Sequence, residues 1–377
     1  MKKFLSLALI LTLLSGTALA QTNLDERAAL GAWTADVYED QSWHPSWKEE
    51  TVPYVMTETH DKETGLTAWT FDPSYETLDP RALRTVNWLP QRGIAAEAAV
   101  DFDGDGAAEW VVLTSRENAD HEAWTALYLS VYEAASGNIT LADEICIASS
   151  PIDMAGEMIE LFFMNRGGET VLFSAGAYSV DSVWHENWVI SYKNGKLHAD
   201  AGLLSSRDET GAWYVHSIGA CDAAEIAGMS PWELPEGSKT HRFSYENAST
   251  FATQYALSAE AIGVTAIADK TDYLYSYAPI EGEKTVLFRL NVNAEDAEGN
   301  PLFIVERKTA GRSVVTVGAM NMRSTPSLTG ETIEIIGEGE TLEFLSSIST
   351  DERGIDWYLV RSEENEGWVS SKFALFE

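Results

Sequence analysis

The stretch Trp124-Thr125-Ala126-Leu127-Tyr128-Leu129-Ser130-Val131-Tyr132 is rich in aromatic and branched residues and alternates in character. A helix would need apolar residues every three or four positions, whereas an alternating run suits the two faces of a strand. Four short apolar runs bounded by turn residues point the same way. They are Trp110-Val111-Val112-Leu113, Ile159-Glu160-Leu161-Phe162-Phe163, Val171-Leu172-Phe173 and Trp188-Val189-Ile190-Ser191-Tyr192. Residues 21–312 are therefore expected to form a mainly β body. Three helices are expected to interrupt it: one capped by Asp25 and carrying Leu30, Trp33 and Val37, one beginning at Asp79-Pro80, and one over Thr250 to Ile262 with Phe251 and Tyr255 a turn apart.

A weak internal repeat of about 60 residues runs through the body. In the first copy an acidic turn leads into Glu109 to Leu113 and then to a Gly-containing hairpin at Val131 to Ile139. In the second, Gly167-Gly168 leads into Glu169 to Phe173 and then to a hairpin at Ile190 to Leu197. Such a unit fits either a propeller-like array or a sandwich.

The acidic turn reads Val100-Asp101-Phe102-Asp103-Gly104-Asp105-Gly106-Ala107-Ala108-Glu109. Carboxylates at alternate positions of a tight turn converge, Gly106 lets the backbone turn, and the Ala107 carbonyl and Glu109 can complete a shell of hard oxygens suited to calcium. An empty acidic hairpin turn is the competing reading. The pattern resembles the Asp-x-Asp-x-Asp-Gly-x-x-Asp/Glu loops of FG-GAP and VCBS-type repeats. That resemblance implies Ca2+ held by the side chains of Asp101, Asp103, Asp105 and Glu109 and the backbone of Ala107. It departs from an EF-hand, since Val112 stands where the twelfth-position acid would be and a strand follows. The second copy lacks the acids.

Three motifs close the chain: Asn321-Met322-Arg323-Ser324-Thr325-Pro326-Ser327, Gly337-Glu338-Gly339-Glu340-Thr341-Leu342, and Trp357-Tyr358 with Gly367-Trp368-Val369. Their order and spacing resemble the bacterial SH3 domain, with Phe373 where tyrosine is common. The resemblance implies a small SH3-like β-barrel over 313–377 that contacts the cell wall or a partner. Trp357, Tyr358 and Trp368 are its candidate ligand-binding residues, with barrel core as their alternative role. Boundaries between body and tail are expected at Asn293 to Pro301 or at Lys308 to Arg312. Two acidic turns, around Asp351-Glu352 and Glu363-Glu364, flank the last strands.

The N-terminus has the layout of a secretory signal peptide over residues 1–20: basic Lys2-Lys3, an apolar run from Phe4 to Leu14, and Ala18-Leu19-Ala20 as the cleavage signal. No cysteine sits at the cleavage point, and no later run is long and apolar enough to span a bilayer. The expected location is extracellular or associated with the cell envelope. Acidic residues number 59 against 25 basic, which makes nucleic acid and anionic membrane surfaces poor partners and divalent cations or cationic and neutral surfaces better ones, with solubility in a salty exterior as the alternative reading of the charge. Cys146 and Cys221 could pair outside the cytoplasm or remain free thiols.

Reaction motifs are absent: there is no His-Glu-x-x-His, Gly-x-Ser-x-Gly, P-loop or Gly-x-Gly-x-x-Gly. His121-Glu122, His185-Glu186 and His198 with Asp200 are scattered His–acid neighbours, and His216 lies near Cys221. The body holds eleven of the thirteen tryptophans, of which Trp43 and Trp47, in a polar segment, are the best candidates for stacking on sugar rings. The reading that follows is a secreted, non-enzymatic binding protein of the envelope, directed to peptidoglycan or a cell-surface glycan or protein. The alternative is a cell-wall or glycan hydrolase with a targeting tail.

Overall fold

The computed structural model describes residues 54–61, 66–73, 93–118, 121–135, 138–148, 156–179, 183–230, 233–244, 247–268, 275–295, 301–308 and 313–376. The signal segment, the helices expected at Asp25 and Asp79-Pro80, and Trp43 and Trp47 lie outside these residues. Two compact units divide the chain, one centred on Gly311–Glu377 and the other on Ser42–Tyr132 with Leu141–Ala310.

The body is built from strands. β1 (Tyr54–Asp61) and β2 (Leu66–Pro73) form an antiparallel hairpin. β3 (Gly93–Val100), β4 (Glu109–Asn118), β5 (His121–Ala135) and β6 (Asn138–Ala148) follow as one four-stranded sheet in chain order. β7 (Gly156–Arg166), β8 (Glu169–Ser179), β9 (Val183–Lys193), β10 (Lys196–Arg207), β11 (Trp213–Ile218) and β12 (Lys239–Phe243) continue as a second meander. A 3-10 turn, Ala223–Gly228, precedes β12. The helix α1 (Ala248–Ala261) and the hairpin β13 (Val264–Ala268) and β14 (Tyr275–Pro279) come next, then β15 (Thr285–Glu295) and β16 (Pro301–Lys308). The last two strands bridge the N-terminal hairpin to the second meander, giving a ten-stranded sheet in the order β1-β2-β16-β15-β7-β8-β9-β10-β11-β12.

All the apolar runs read as strands from the sequence lie in strands. The two copies of the hairpin pattern fall in different sheets, β3–β6 and β7–β10. The two-residue turn at Asn194-Gly195, with Asn194 at φ 54° and Gly195 at φ 73°, has the left-handed geometry that matches the twist of a hairpin.

Two apolar layers hold the body together. Between the four-stranded and the ten-stranded sheet, Val111, Leu113, Leu129 and Val131 meet Leu161, Leu172, Trp188 and Ile190, among others. The opposite face of the large sheet, with Phe162, Phe173 and Val189, is covered by α1 and by the β13–β14 hairpin. Helix residues Phe251, Tyr255, Ala259 and Ile262 make the covering stripe, at the spacing a helix face requires. A strand covered on both sides should be buried at every position, and Ala201 to Ser206 of β10 are. Gly202 stands opposite Trp188 on β9. A Cβ there would lie 2.4 Å from the indole ring, so the ring's place in the core requires the glycine.

One expected boundary is corrected by the strand pairing. The stretch Asn293 to Pro301 is no domain boundary, because it joins β15 to β16, which pair antiparallel with Glu295 opposite Pro301. A connection between paired strands and a linker share the same polar, turn-rich chemistry, so composition alone does not tell them apart. The helix expected over Thr250 to Ile262 is α1, the one α-helix among the described residues.

The C-terminal unit comprises β17 (Ser313–Thr316), β18 (Met320–Arg323), β19 (Thr332–Ile336), β20 (Thr341–Thr350), β21 (Asp356–Arg361), β22 (Glu366–Ser370) and β23 (Ala374–Phe376). They form one sheet, ordered β19-β18-β22-β21-β20-β17-β23. The ladder does not close into the barrel that the sequence suggests, since β19 and β23 stand at its two ends. Register shifts in the β18–β19 and β20–β21 pairs accompany this; such bulges bend and coil a sheet. Phe344, Tyr358 and Phe376 pack edge-on or tilted against one another inside the unit, with centroids 4.8–6.1 Å apart.

Candidate functional site

The acidic turn joins β3 to β4, with Val100 opposite Glu109 across the last rung. Gly104 and Gly106 adopt φ of 79° and 94°, a conformation other residues rarely take, and so let the chain double back on itself. Backbone N–H groups within the turn orient the acids. Phe102 N–H donates to Glu109 Oε2 (2.7 Å), Asp105 N–H to Asp103 Oδ1 (3.0 Å), Gly106 N–H to Asp101 Oδ2 (3.2 Å) and Ala107 N–H to Asp105 Oδ1 (2.7 Å).

The outcome is a knot of carboxylates. One oxygen each from Asp101, Asp103 and Glu109 lies within 4.8 Å of the others. Asp105 and Ala107 are exposed and outside that group, Asp105 being turned back onto the Ala107 N–H. Glu109 is 5% exposed. Burial raises its carboxyl above the ordinary range, the Phe102 N–H opposes this, and the Asp103 and Asp105 charges add to the rise. Asp101 Oδ1 is buried and accepts no hydrogen bond among the described residues. Clustered acids of this kind repel at short range and gain from a shared cation.

Phe102, between two of the acids, was not expected to matter. It is 2% exposed, edge-on to Phe163 of β7 at 5.5 Å and stacked on Tyr192 of β9 at 6.0 Å. It fixes the turn to the facing sheet. The one signal in the sequence is an aromatic residue alternating with acids just past a strand.

In the C-terminal unit the candidate ligand residues separate. Trp357 is 1% exposed, and its indole N–H donates to Asp351 Oδ2 at 3.0 Å. Tyr358 is 6% exposed and points into the aromatic core. Both are structural, a correction of the ligand-binding role: a ring with its faces covered has no surface for stacking. Trp368 alone remains half-buried. Asp351 gathers the turn beneath Trp357, accepting from the N–H groups of Arg353 (2.9 Å) and Ile355 (3.1 Å) and from the Arg353 guanidinium. These bonds, the Arg353 contact foremost, hold its carboxyl well below the usual carboxylate range.

Among the described residues the His–acid neighbours form no metal-holding cluster. His185 and Glu186 are adjacent on β9 and so point to opposite faces. His185 is buried on the helix side, with Nδ1 2.6 Å from Ser205 Oγ. Glu186 faces the layer between the sheets, opposite Leu204. Part of Glu186 remains exposed, yet its carboxyl lies deep enough that burial pushes it up to about 8. The sign of the linkage follows. The unfolded chain loses this proton near 4.5, so the group's contribution to stability is complete below that pH and is lost as pH rises through about 8. The thermal midpoint of the body should fall between about pH 5 and pH 8, and Glu186→Gln should flatten that fall. An equally steep profile in the variant would place the dependence elsewhere.

His216 is 2% exposed, with Nδ1 3.0 Å from Thr240 Oγ1, and burial lowers its basicity. Burial first, then Glu225 and Asp222, raises the Cys221 thiol. A reactive thiolate needs the opposite shift. Neither cysteine is in a disulfide, and both are half-buried. Ile145 and Ile147 face the inter-sheet core, so Cys146 between them faces away, whereas Cys221 packs against that core. The four-stranded sheet thus separates the two sulfurs, which rules out a disulfide within this arrangement.

Residues 318–374 match the family model for the bacterial SH3 domain. No curated protein and no solved structure matches the chain. No helix among the described residues is long and apolar enough to cross a membrane.

Proposed function

We propose that the protein is a secreted, non-enzymatic binding protein of the bacterial envelope. Its bacterial SH3 unit makes the contact with cell wall or a surface partner, and calcium staples its body. The match of residues 318–374 to the bacterial SH3 family model carries the reading, since that module is typical of extracellular and cell-wall proteins. The excess of acids is consistent with a neutral or cationic target.

The metal part of the reading is supported by the convergence of Asp101, Asp103 and Glu109 and by the buried Asp101 oxygen that no donor meets. These three side chains would hold calcium, with Asp105 and the Ala107 carbonyl reaching it after a small adjustment of the exposed turn. The ion would bring no chemistry beyond charge neutralisation and cross-linking of the β3–β4 connection.

Sedimentation of the full chain with purified peptidoglycan sacculi tests the envelope reading. Co-sedimentation is expected, and Trp368→Ala should weaken it several-fold, within the ordinary range for a partly exposed aromatic contact. Failure of the full chain to sediment with sacculi of several compositions would remove the proposal.

A further inference from the structure

We infer that the outer edge of β19 is a docking strand for an extended, basic peptide segment, an inference that rests on the SH3 unit being a contact module. β19 is the terminal strand of its sheet, and β18 is its one strand partner among the described residues. Sheet edges are usually blunted by lysine, proline or a covering segment, because unpaired N–H and C=O groups recruit other strands. β19 reads Thr332-Ile333-Glu334-Ile335-Ile336, with neither lysine nor proline. Ile336 is buried, while Ile335 is 75% exposed, the highest value among the exposed large apolar residues described, and Ile333 is 40% exposed. A register shift at Ile333 bends the start of the strand and leaves Glu334 to Ile336 as the regular edge.

The surroundings select the charge of the partner. Ser362 Oγ and Asn365 Nδ2 both donate to Glu334 Oε2, at 2.7 Å and 3.2 Å. These bonds tie the acidic loop between β21 and β22 to β19 and bring exposed Glu363 and Glu364 beside the edge. Exposed Glu331 and Glu338 stand at its two ends. The nearby cation Arg361 is already held by Glu366 and Glu343. The edge therefore offers backbone hydrogen bonds, an isoleucine and a rim of acids, Glu331, Glu338, Glu363 and Glu364, that form no ion pair among the described residues. A strand alternating apolar and basic residues complements all three. A second copy of this chain would bring acid against acid. A glycan offers no ladder of amide groups and no positive charge. An edge this short buries too little surface for a permanent complex, so the contact is weak and transient.

Titration of the full chain with a short alternating Lys-Val peptide, followed by amide NMR, tests the inference. The expected shifts centre on Glu334 to Ile336, weaken with added salt, and are absent with a Glu-Val peptide. Ile335→Lys, at an exposed position that leaves the fold intact, should raise Kd at least about tenfold. Binding elsewhere on the chain, undiminished binding by Ile335→Lys, or preference for an oligosaccharide over the peptide would overturn it. Sedimentation with sacculi separates the two readings. Peptide binding at β19 without sacculus binding keeps the docking strand and removes the envelope target, and the reverse result does the opposite.

Discussion

Millimolar calcium is expected to raise the thermal midpoint of the body by about 5–10 °C over the value in chelator. A ligand at about a hundred times its Kd that binds only the native state adds about 2.7 kcal/mol. For a domain of this size each kcal/mol is worth about 2–4 °C. The source of the effect is local. Asp101, Asp103 and Glu109 converge within 4.8 Å, and burial, with the Asp103 and Asp105 charges, disfavours the charged form of Glu109. A divalent cation offsets the repulsion among the three carboxylates. Asp103→Ala removes one ligand and should abolish the calcium shift, with little effect on the midpoint in chelator because one repulsive charge leaves with it. Magnesium should do much less, since it demands near-octahedral geometry from smaller distances. Scanning calorimetry with and without calcium decides the matter, and equal midpoints would leave the turn a bare acidic hairpin.

Trp357→Ala is expected to unfold the C-terminal unit while the body stays folded. Truncating a fully buried tryptophan costs about 3–5 kcal/mol. A unit of fewer than about 80 residues seldom has more than about 3–5 kcal/mol in its core. The substitution also leaves Asp351 without the indole N–H it accepts. Trp368→Ala should spare the fold, because that ring is only half-buried. The methyl signals of buried Met320 and Met322 report the state of the unit directly. Collapse of their dispersion in Trp357→Ala and its retention in Trp368→Ala is the expected pair of results. A folded Trp357→Ala unit that merely loses binding would restore the ligand role to that tryptophan.

Strand identity was legible because alternation and aromatic content act locally: Trp124 to Tyr132 lies within β5, and Thr250 to Ile262 matches α1 to within two residues at each end. The acidic turn between β3 and β4 was legible because its acids are contiguous, but the separation of Asp105 and Ala107 from the cluster of Asp101, Asp103 and Glu109 was not. Strand order was not. The pairing of β2 with β16 joins segments more than two hundred residues apart, and no local pattern encodes it. The roles of Trp357 and Trp368 were also hidden. Both sit on strands of one sheet, and what separates them is the turn at Asp351 folding over one ring, a tertiary event. Glu334 likewise reads as one acid among many until Ser362 and Asn365 bond to it.

The pairing of β2 with β16 also sets a temporal order. Strands β7 to β10 are consecutive and can zip together as they leave the ribosome, since contacts close in sequence form fastest. The hairpin β1–β2, made first, has no place in the large sheet until β16, the last strand of the body, exists to receive it. A nascent chain lacking β16 holds its oldest strands with an open edge, the state in which edge-to-edge misassembly competes. The large sheet is thus completed by the last strand of the body, which joins its two halves in one step.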